Sequence, residues 1–402
     1  MRMKPQRIAC ETATAFADLI GARAWSARQA TIRKEIQTGH RAGRAAMQRH
    51  AIEFTLDRLR AASCEHPSTR AELCLLAIAA EALRCAAEMS REGRVNLKAM
   101  LRDSLSGQNT LLAPFHLFRT AALQRSRGFA VHYAGLEDGA SFDLLIERYH
   151  VAAEIACDVV SAEEGRDVHR GAWVRLVDAI DPDLQRWLSD HPGRYLLKLT
   201  LPQGLRTGTD GQPGLASLHG RICDMLRTHR RADHDEAAVL RLDPLMLAAA
   251  QADENGLMNS LRREFGHEAH LAVTGSGQGV FALAARAGRE NEIAVAIRRR
   301  MAALAPTRLT GTRPGILAMF VEDTDAAEWR HLRDQLELEG EARHFMTHPE
   351  ARCVVAITCS SRLELFGAVP PHAAPDGELR FRNPAHPAAK TPALAPAVLS
   401  SI

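Results

Sequence analysis

The chain has 402 residues, 46% of them hydrophobic and 25% charged, with a formal net charge of +3 at pH 7. That length exceeds what one hydrophobic core normally fills, and the composition is too apolar for a disordered chain, so a globular protein of more than one domain is expected. The small net charge excludes a global electrostatic argument for a polyanionic partner and leaves only local ones.

Five of the 51 basic residues are lysine (Lys4, Lys34, Lys98, Lys198 and Lys390), a bias that fits the codon usage of a GC-rich bacterial genome. The eight cysteines are scattered, without a C-x-x-C pair, and most lie in apolar runs, which fits reduced thiols and a cytoplasmic location. The opening stretch MRMKPQRIACETATAFADLIGA is interrupted by Glu11, Thr12, Thr14 and Asp18 and lacks the apolar segment of a secretory signal. The longest greasy run, residues 73–89, is broken by Glu81, Arg84 and Glu88, so no membrane partner is expected.

Residues 7–105 read as helical, rich in Ala, Leu, Arg, Glu and Met, and Thr69-x-x-Glu72 is a capping box that should start a helix. Within this region residues 21–60 carry nine basic side chains, among them Arg33, Lys34, Arg41 and Arg44, against three acidic ones. Such a stretch is either a solvated helix face or a contact for nucleic-acid phosphates. From about residue 107 the pattern changes to alternating strands and helices. The spacing predicts a helix over 114–127, strands at 129–134, 142–147 and 151–160, a helix over 173–188 with Pro182 inside it, and a strand at 194–201. Further elements follow: a helix around Leu218–Leu226, strands at 237–242 and within 270–286, a helix at 290–304, a strand at 316–322, a helix at 325–336 and a strand at 353–358. The last 36 residues hold seven of the chain's 18 prolines and read as a flexible tail. The expected division is a helical region at 1–106, an α/β core with its extension at 107–289, a C-terminal α/β part at 290–366 and the tail at 367–402.

Several motifs fail on spacing. GSGQG at 275–279 has Val280 where a dinucleotide loop needs its third glycine, and it leads into a strand. His267-Glu268-Ala269-His270 is one residue short of H-E-x-x-H and also enters a strand. THRRADHDE at 228–236 offers His229, Asp233, His234 and Asp235, as a metal site or as a solvated helix end.

Residues 142–158, FDLLIERYHVAAEIACD, carry the most informative pattern. An aspartate, Asp143, enters one apolar strand, and Glu154 sits inside the next. With the preceding helix, the crossover helix at 173–188 and the strand at 194–201, this order resembles the core of the PD-(D/E)xK nuclease superfamily over about 90 residues. The resemblance implies a mixed-sheet α/β fold with a restriction-endonuclease-like core, and a Mg2+ ion held by Asp143 and Glu154 to activate water for phosphodiester hydrolysis. It also implies that 194–201 lies parallel to 151–160. The triplet Glu154-Ile155-Ala156 lacks the family's lysine, so the active site is expected to be degraded unless Lys198, on the neighbouring strand, fills the vacant position; the favoured reading is that Lys198 snorkels from a sheet edge instead. Arg166, His169 and Arg170, after the third strand, would contact phosphate or solvate a loop. The expected function is nucleic-acid binding or processing, and the alternative is a non-catalytic interaction or regulatory scaffold.

Overall fold

The structure, a computed structural model, describes residues 5–61, 69–206, 213–245, 254–277 and 279–401. The chain divides into two compact units: Met1–Lys34, Met47–Ala162 and Ala294–Ile402 form the first, and Glu35–Ala46 with Glu163–Ile293 the second. The second unit is thus formed mainly by the segment inserted between Ala162 and Ala294 of the first, joined by Glu35–Ala46, where the sequence suggested contiguous domains.

The N-terminal region is helical, with α1 (Pro5–Ile20), α2 (Ala22–Ile36), α3 (His40–Arg49), α4 (Ala51–Arg60), α5 (Arg70–Glu88), α6 (Arg91–Asp103) and α7 (Leu112–Ser126). The capping box at Thr69 and Glu72 forms as expected and satisfies two backbone amides at the start of α5. Phe16, Trp25 and Phe115 meet edge to face in the core that these helices share. Strand β1 (Ala130–His132), the short helix α8 (Ala134–Glu137), β2 (Leu144–Arg148) and β3 (Val151–Ser161) follow.

The second unit contains α9 (Arg170–Asp190), β4 (Arg194–Leu201), α10 (Pro213–Arg227), β5 (Ala232–His234), β6 (Val239–Pro244), α11 (Glu254–Phe265), β7 (His270–Ser276) and β8 (Gly279–Ala287). Pro182 is accommodated inside α9, which runs as one helix. The chain then returns to the first unit through α12 (Ile293–Arg308), β9 (Gly315–Glu322), α13 (Ala326–Asp334), α14 (Glu337–Met346), β10 (Val354–Ser361), α15 (Arg362–Leu365), β11 (Leu379–Arg382) and α16 (Ala395–Val398).

The fold is mixed α/β with two mixed sheets. In the first unit the strand order is β1-β2-β3-β9-β10-β11. Strand β2 is antiparallel to both its neighbours, β1 and β3; β3, β9 and β10 run parallel, and β11 is antiparallel to β10. Strand β10 is buried along its whole length, and β9 along all but its last residue, as parallel strands covered on both faces must be. In the second unit the order is β5-β6-β4-β8-β7, and only β4 and β8 pair in parallel. Among the described residues no helix is long and apolar enough to cross a membrane.

Two expectations are corrected. Strand 194–201 forms as expected, as β4, but it belongs to the second sheet; the parallel neighbour of β3 is β9. The segment from residue 367 is not a free tail. Strand β11 extends the first sheet, and Ala389, Leu394, Ala397 and Val398 are buried in its core. Its prolines start short 3-10 turns and α16, while the leucine, phenylalanine and valine residues between them supply the apolar surface. Seven cysteines are free thiols, and Cys64 lies outside the described residues, as do residues 1–4 and Gln278.

Candidate functional site

The register of β2 against β3 pairs Leu144 with Ile155 and Leu145 with Glu154. Leu144, Ile146, Ala153 and Ile155 enter the core beneath α7, so the alternation of a strand turns Leu145, Glu154, Ala156 and Asp158 to the opposite face. Asp143 continues that alternation one step before β2. Its N–H donates to the Ile155 carbonyl at 3.0 Å, and its Oδ2 accepts from the Cys157 N–H at 2.7 Å. Asp143 and Glu154 therefore share one face of the sheet.

Each of these carboxylates is already engaged by the chain. The Arg308 Nη2 lies 2.8 Å from both oxygens of Asp143, and the Arg308 Nε donates to the Ser141 carbonyl at 2.5 Å. Glu154 is fully buried; its Oε2 accepts from the Thr310 N–H at 2.9 Å and its Oε1 from the Thr310 hydroxyl at 2.6 Å, with the Arg313 guanidinium 3.6 Å away. Asp158 accepts from Arg300 at 2.5 and 3.1 Å. Burial pushes the Asp143 carboxyl up from its ordinary pKa, and Arg308 opposes that rise. A Mg2+ ion requires a near-octahedral shell of oxygens and excludes cationic donors from it. The oxygens of Asp143 and Glu154 face N–H, hydroxyl and guanidinium donors instead, so this set of residues does not fit Mg2+.

Lys198 points elsewhere than the resemblance implied. Its Nζ lies 3.1 Å from Asp243 Oδ2 on the adjacent β6 and 5.9 Å from the Phe265 ring. Insertion of a whole unit after β3 separates the next strand in sequence from the next strand in the sheet, and so Lys198 does not stand beside Ala156 in a strand pair.

The basic stretch is divided between the two units. In the first, Arg33 pairs with Asp57 at 3.0 Å, and Lys34 is exposed. In the second, Arg41 forms a clamp: its guanidinium meets Asp181 at 3.1 Å and the Val273 carbonyl at 2.6 Å. The N–H groups of Arg41 and Ala42 donate to the Asp178 carboxylate, which caps the start of α3. Arg44 is exposed, 3.4 Å from His40 Nδ1. Arg166, His169 and Arg170 gather around Glu163: the buried Arg166 guanidinium lies 2.5 Å from it, the Arg170 N–H donates to it at 2.8 Å, and the His169 ring is 3.9 Å away. Burial, with Arg206 and Arg166 nearby, holds the His169 pKa below its usual range.

Of the weaker motifs, β7 and β8 pair antiparallel on either side of Gln278, which lies outside the described residues, and His267 and His270 line a cleft of about 370 Å3 in the second unit with Phe265, Arg286, Arg289 and Asn291. Asp233 and Asp235 are held by Arg221 at 2.8 and 2.5 Å. The sequence reading missed Arg300, Arg308, Thr310 and Arg313. The run RLTGTRPG at 308–315 was a usable signal, two threonines between two arginines before a strand, but nothing local named its partners.

A further group was also missed. Glu322 ends β9 and borders a cleft of about 630 Å3 in the first unit, lined also by Arg49, Asp103, Gln108, Asn109 and Thr110. Burial, with Asp323 beside it, pushes the Glu322 pKa up to about 7 against the pull of Arg362 and Arg49. Carboxyl ends of parallel strands are where α/β sheets commonly receive ligands. No family model, curated protein or solved structure matches the chain.

Proposed function

We propose that the chain is a non-catalytic interaction or regulatory protein that retains a nuclease-like sheet and uses its acidic residues structurally. The order α7, β1, β2, β3, then a crossover helix and a parallel strand supports the nuclease-like reading of the first unit, with α12 and β9 in the places that the sequence had assigned to α9 and β4. The observation that carries the proposal is the engagement of Asp143 by Arg308 and of Glu154 by Thr310 and Arg313. A hydrolytic metal centre needs those oxygens open, and the water-orienting lysine has no counterpart at Ala156. The paired state of Arg33, Arg41 and Arg166 also removes much of the free positive charge on which nucleic-acid binding would rest.

The test is an assay of the full chain with single- and double-stranded DNA and with RNA, in Mg2+ or Mn2+, at low salt. The proposal expects neither cleavage nor retention of the nucleic acid. Metal-dependent cleavage lost in Asp143→Asn would overturn it in favour of a nuclease. Salt-dependent binding without cleavage would restore the nucleic-acid-binding reading.

A further inference from the structure

In the second unit α9 packs against α10, with Leu184 and Leu188 meeting the core that holds Leu218, Ile222 and Leu226. At the rim of that seam three side chains of different chemistry converge. His219 and Cys223 are four residues apart on α10 and so share one face, while Asp183 reaches them from α9. His219 Nε2 lies 2.9 Å from Asp183 Oδ2, and Cys223 Sγ lies 3.5 Å from that same oxygen. The three donor atoms all fall within 4.8 Å of one another, and among the described residues this is the one group of its kind.

We propose that Asp183, His219 and Cys223 form a three-ligand site for a borderline divalent transition metal, with Zn2+ as the fitting ion and a fourth position open to solvent. The donor set argues for the class of metal. A thiolate with an imidazole suits Zn2+ or Co2+ and discriminates against Mg2+ and Ca2+, which take oxygen shells. Spacing argues for the geometry: bonds of about 2.0–2.3 Å at tetrahedral angles place neighbouring donors roughly 3.2–3.8 Å apart. The observed contacts from Asp183 Oδ2 are 2.9 and 3.5 Å, and the imidazole nitrogen lies within 4.8 Å of the sulfur.

The surroundings add a third argument. Arg186 takes the other oxygen of Asp183, at 3.3 Å from Oδ1, and so leaves Oδ2 directed at the imidazole and the sulfur. A partner of this kind orients a ligating carboxylate. His219 and Asp183 are each about one-third exposed, at 30% and 34%, so water has access to complete the shell. Binding would release the Cys223 thiol proton to solvent as the sulfur–metal bond forms, with no change of oxidation state. Cys223 is the one cysteine in residues 163–293, so the sulfur signal of this unit belongs to a single residue.

The site is independent of the reading of the first unit and survives or fails separately. The experiment is titration of the metal-stripped full chain with Co2+, whose tetrahedral thiolate complexes show sulfur-to-metal charge-transfer absorption. One equivalent should bind, Zn2+ should displace it, and Cys223→Ser should abolish the charge-transfer band with the circular dichroism unchanged. His219→Gln keeps a hydrogen-bond donor to Asp183 but removes the imidazole, and should weaken affinity at least about tenfold, as should Asp183→Asn. Zn2+ should raise the melting temperature of the wild type but not of Cys223→Ser. Absence of the band in the wild type, or its persistence in Cys223→Ser, overturns the proposal and leaves the cluster a hydrogen-bonded junction between two helices.

Discussion

Arg308 holds Asp143 by placing one guanidinium nitrogen 2.8 Å from both carboxylate oxygens, across 165 residues of sequence. This pair fastens the end of α12 to the entry of β2, so a position that resembles a metal ligand in the sequence is a tie between the two halves of the first unit.

That tie should be measurable as stability. Arg308→Ala leaves the Asp143 carboxylate largely buried with only the Cys157 amide and should cost about 1–3 kcal/mol, since part of the pair remains in contact with water. A double-mutant cycle with Asp143→Asn, read by denaturant unfolding, should return a favourable coupling energy. A coupling of zero would show that the two groups are merely adjacent.

Glu154 should be the more sensitive of the two acidic residues. It is fully buried and accepts from both the amide and the hydroxyl of Thr310, so Glu154→Ala strands a backbone N–H next to Arg313. The expected loss is about 2–3 kcal/mol. Equal stability of the variant and the wild type in urea would contradict the structural role assigned to this side chain.

Charge reversal in the basic stretch should divide the residues by what they touch. Arg41→Glu places a carboxylate against Asp178 and Asp181 and removes the bond to the Val273 carbonyl, and should cost at least about 2 kcal/mol. The exposed Arg44, altered in the same way, should change stability by no more than about 0.5 kcal/mol. Thermal unfolding of the two variants side by side distinguishes these roles.

Glu322 gives the first unit a dependence on pH. Its folded pKa of about 7 lies above the ordinary 4.5, so the associated stability is fully present below pH 4.5 and is lost as pH rises through 7. Burial raises the value most, with Asp323 and Glu53 adding to it, and Arg362 and Arg49 lower it. Glu322→Gln should therefore gain stability relative to the wild type between pH 5 and pH 8, by up to about 3 kcal/mol. Melting curves of the two proteins that run parallel across this range would refute the assignment.

Truncation after residue 366 should unfold the first unit rather than trim it. The deletion removes β11 together with Leu379, Phe381, Leu394 and Val398, whose burial contributes on the order of 1.5–3 kcal/mol each. Limited proteolysis of the intact chain should accordingly spare residues 379–398, and the truncated chain should lose its cooperative melting transition.

Most elements were legible in the sequence because their signals are local. The capping box at Thr69, the alternation over 142–160, the strand RYLLKLTL and the run of helices before residue 105 each depend on residues within one or two turns of each other. Even the shared face of Asp143 and Glu154 follows from strand alternation once β2 and β3 are neighbours. Other features are decided by partners far apart in the chain. Lys198 was placed beside β3 because sequence order suggests the nearest following strand, and the inserted unit gives that position to β9. Arg308, Thr310 and Arg313 reach carboxylates more than 150 residues away, and Asp183 meets His219 and Cys223 from another helix. The tail was misread for a related reason: its prolines are a local signal of irregular backbone, whereas its burial depends on whether β10 offers a free edge. Periodicity and capping act through bonds within a few residues and are written along the chain, but the choice of partner for a charge or a strand edge is made by burial, which exists only after the chain has closed on itself.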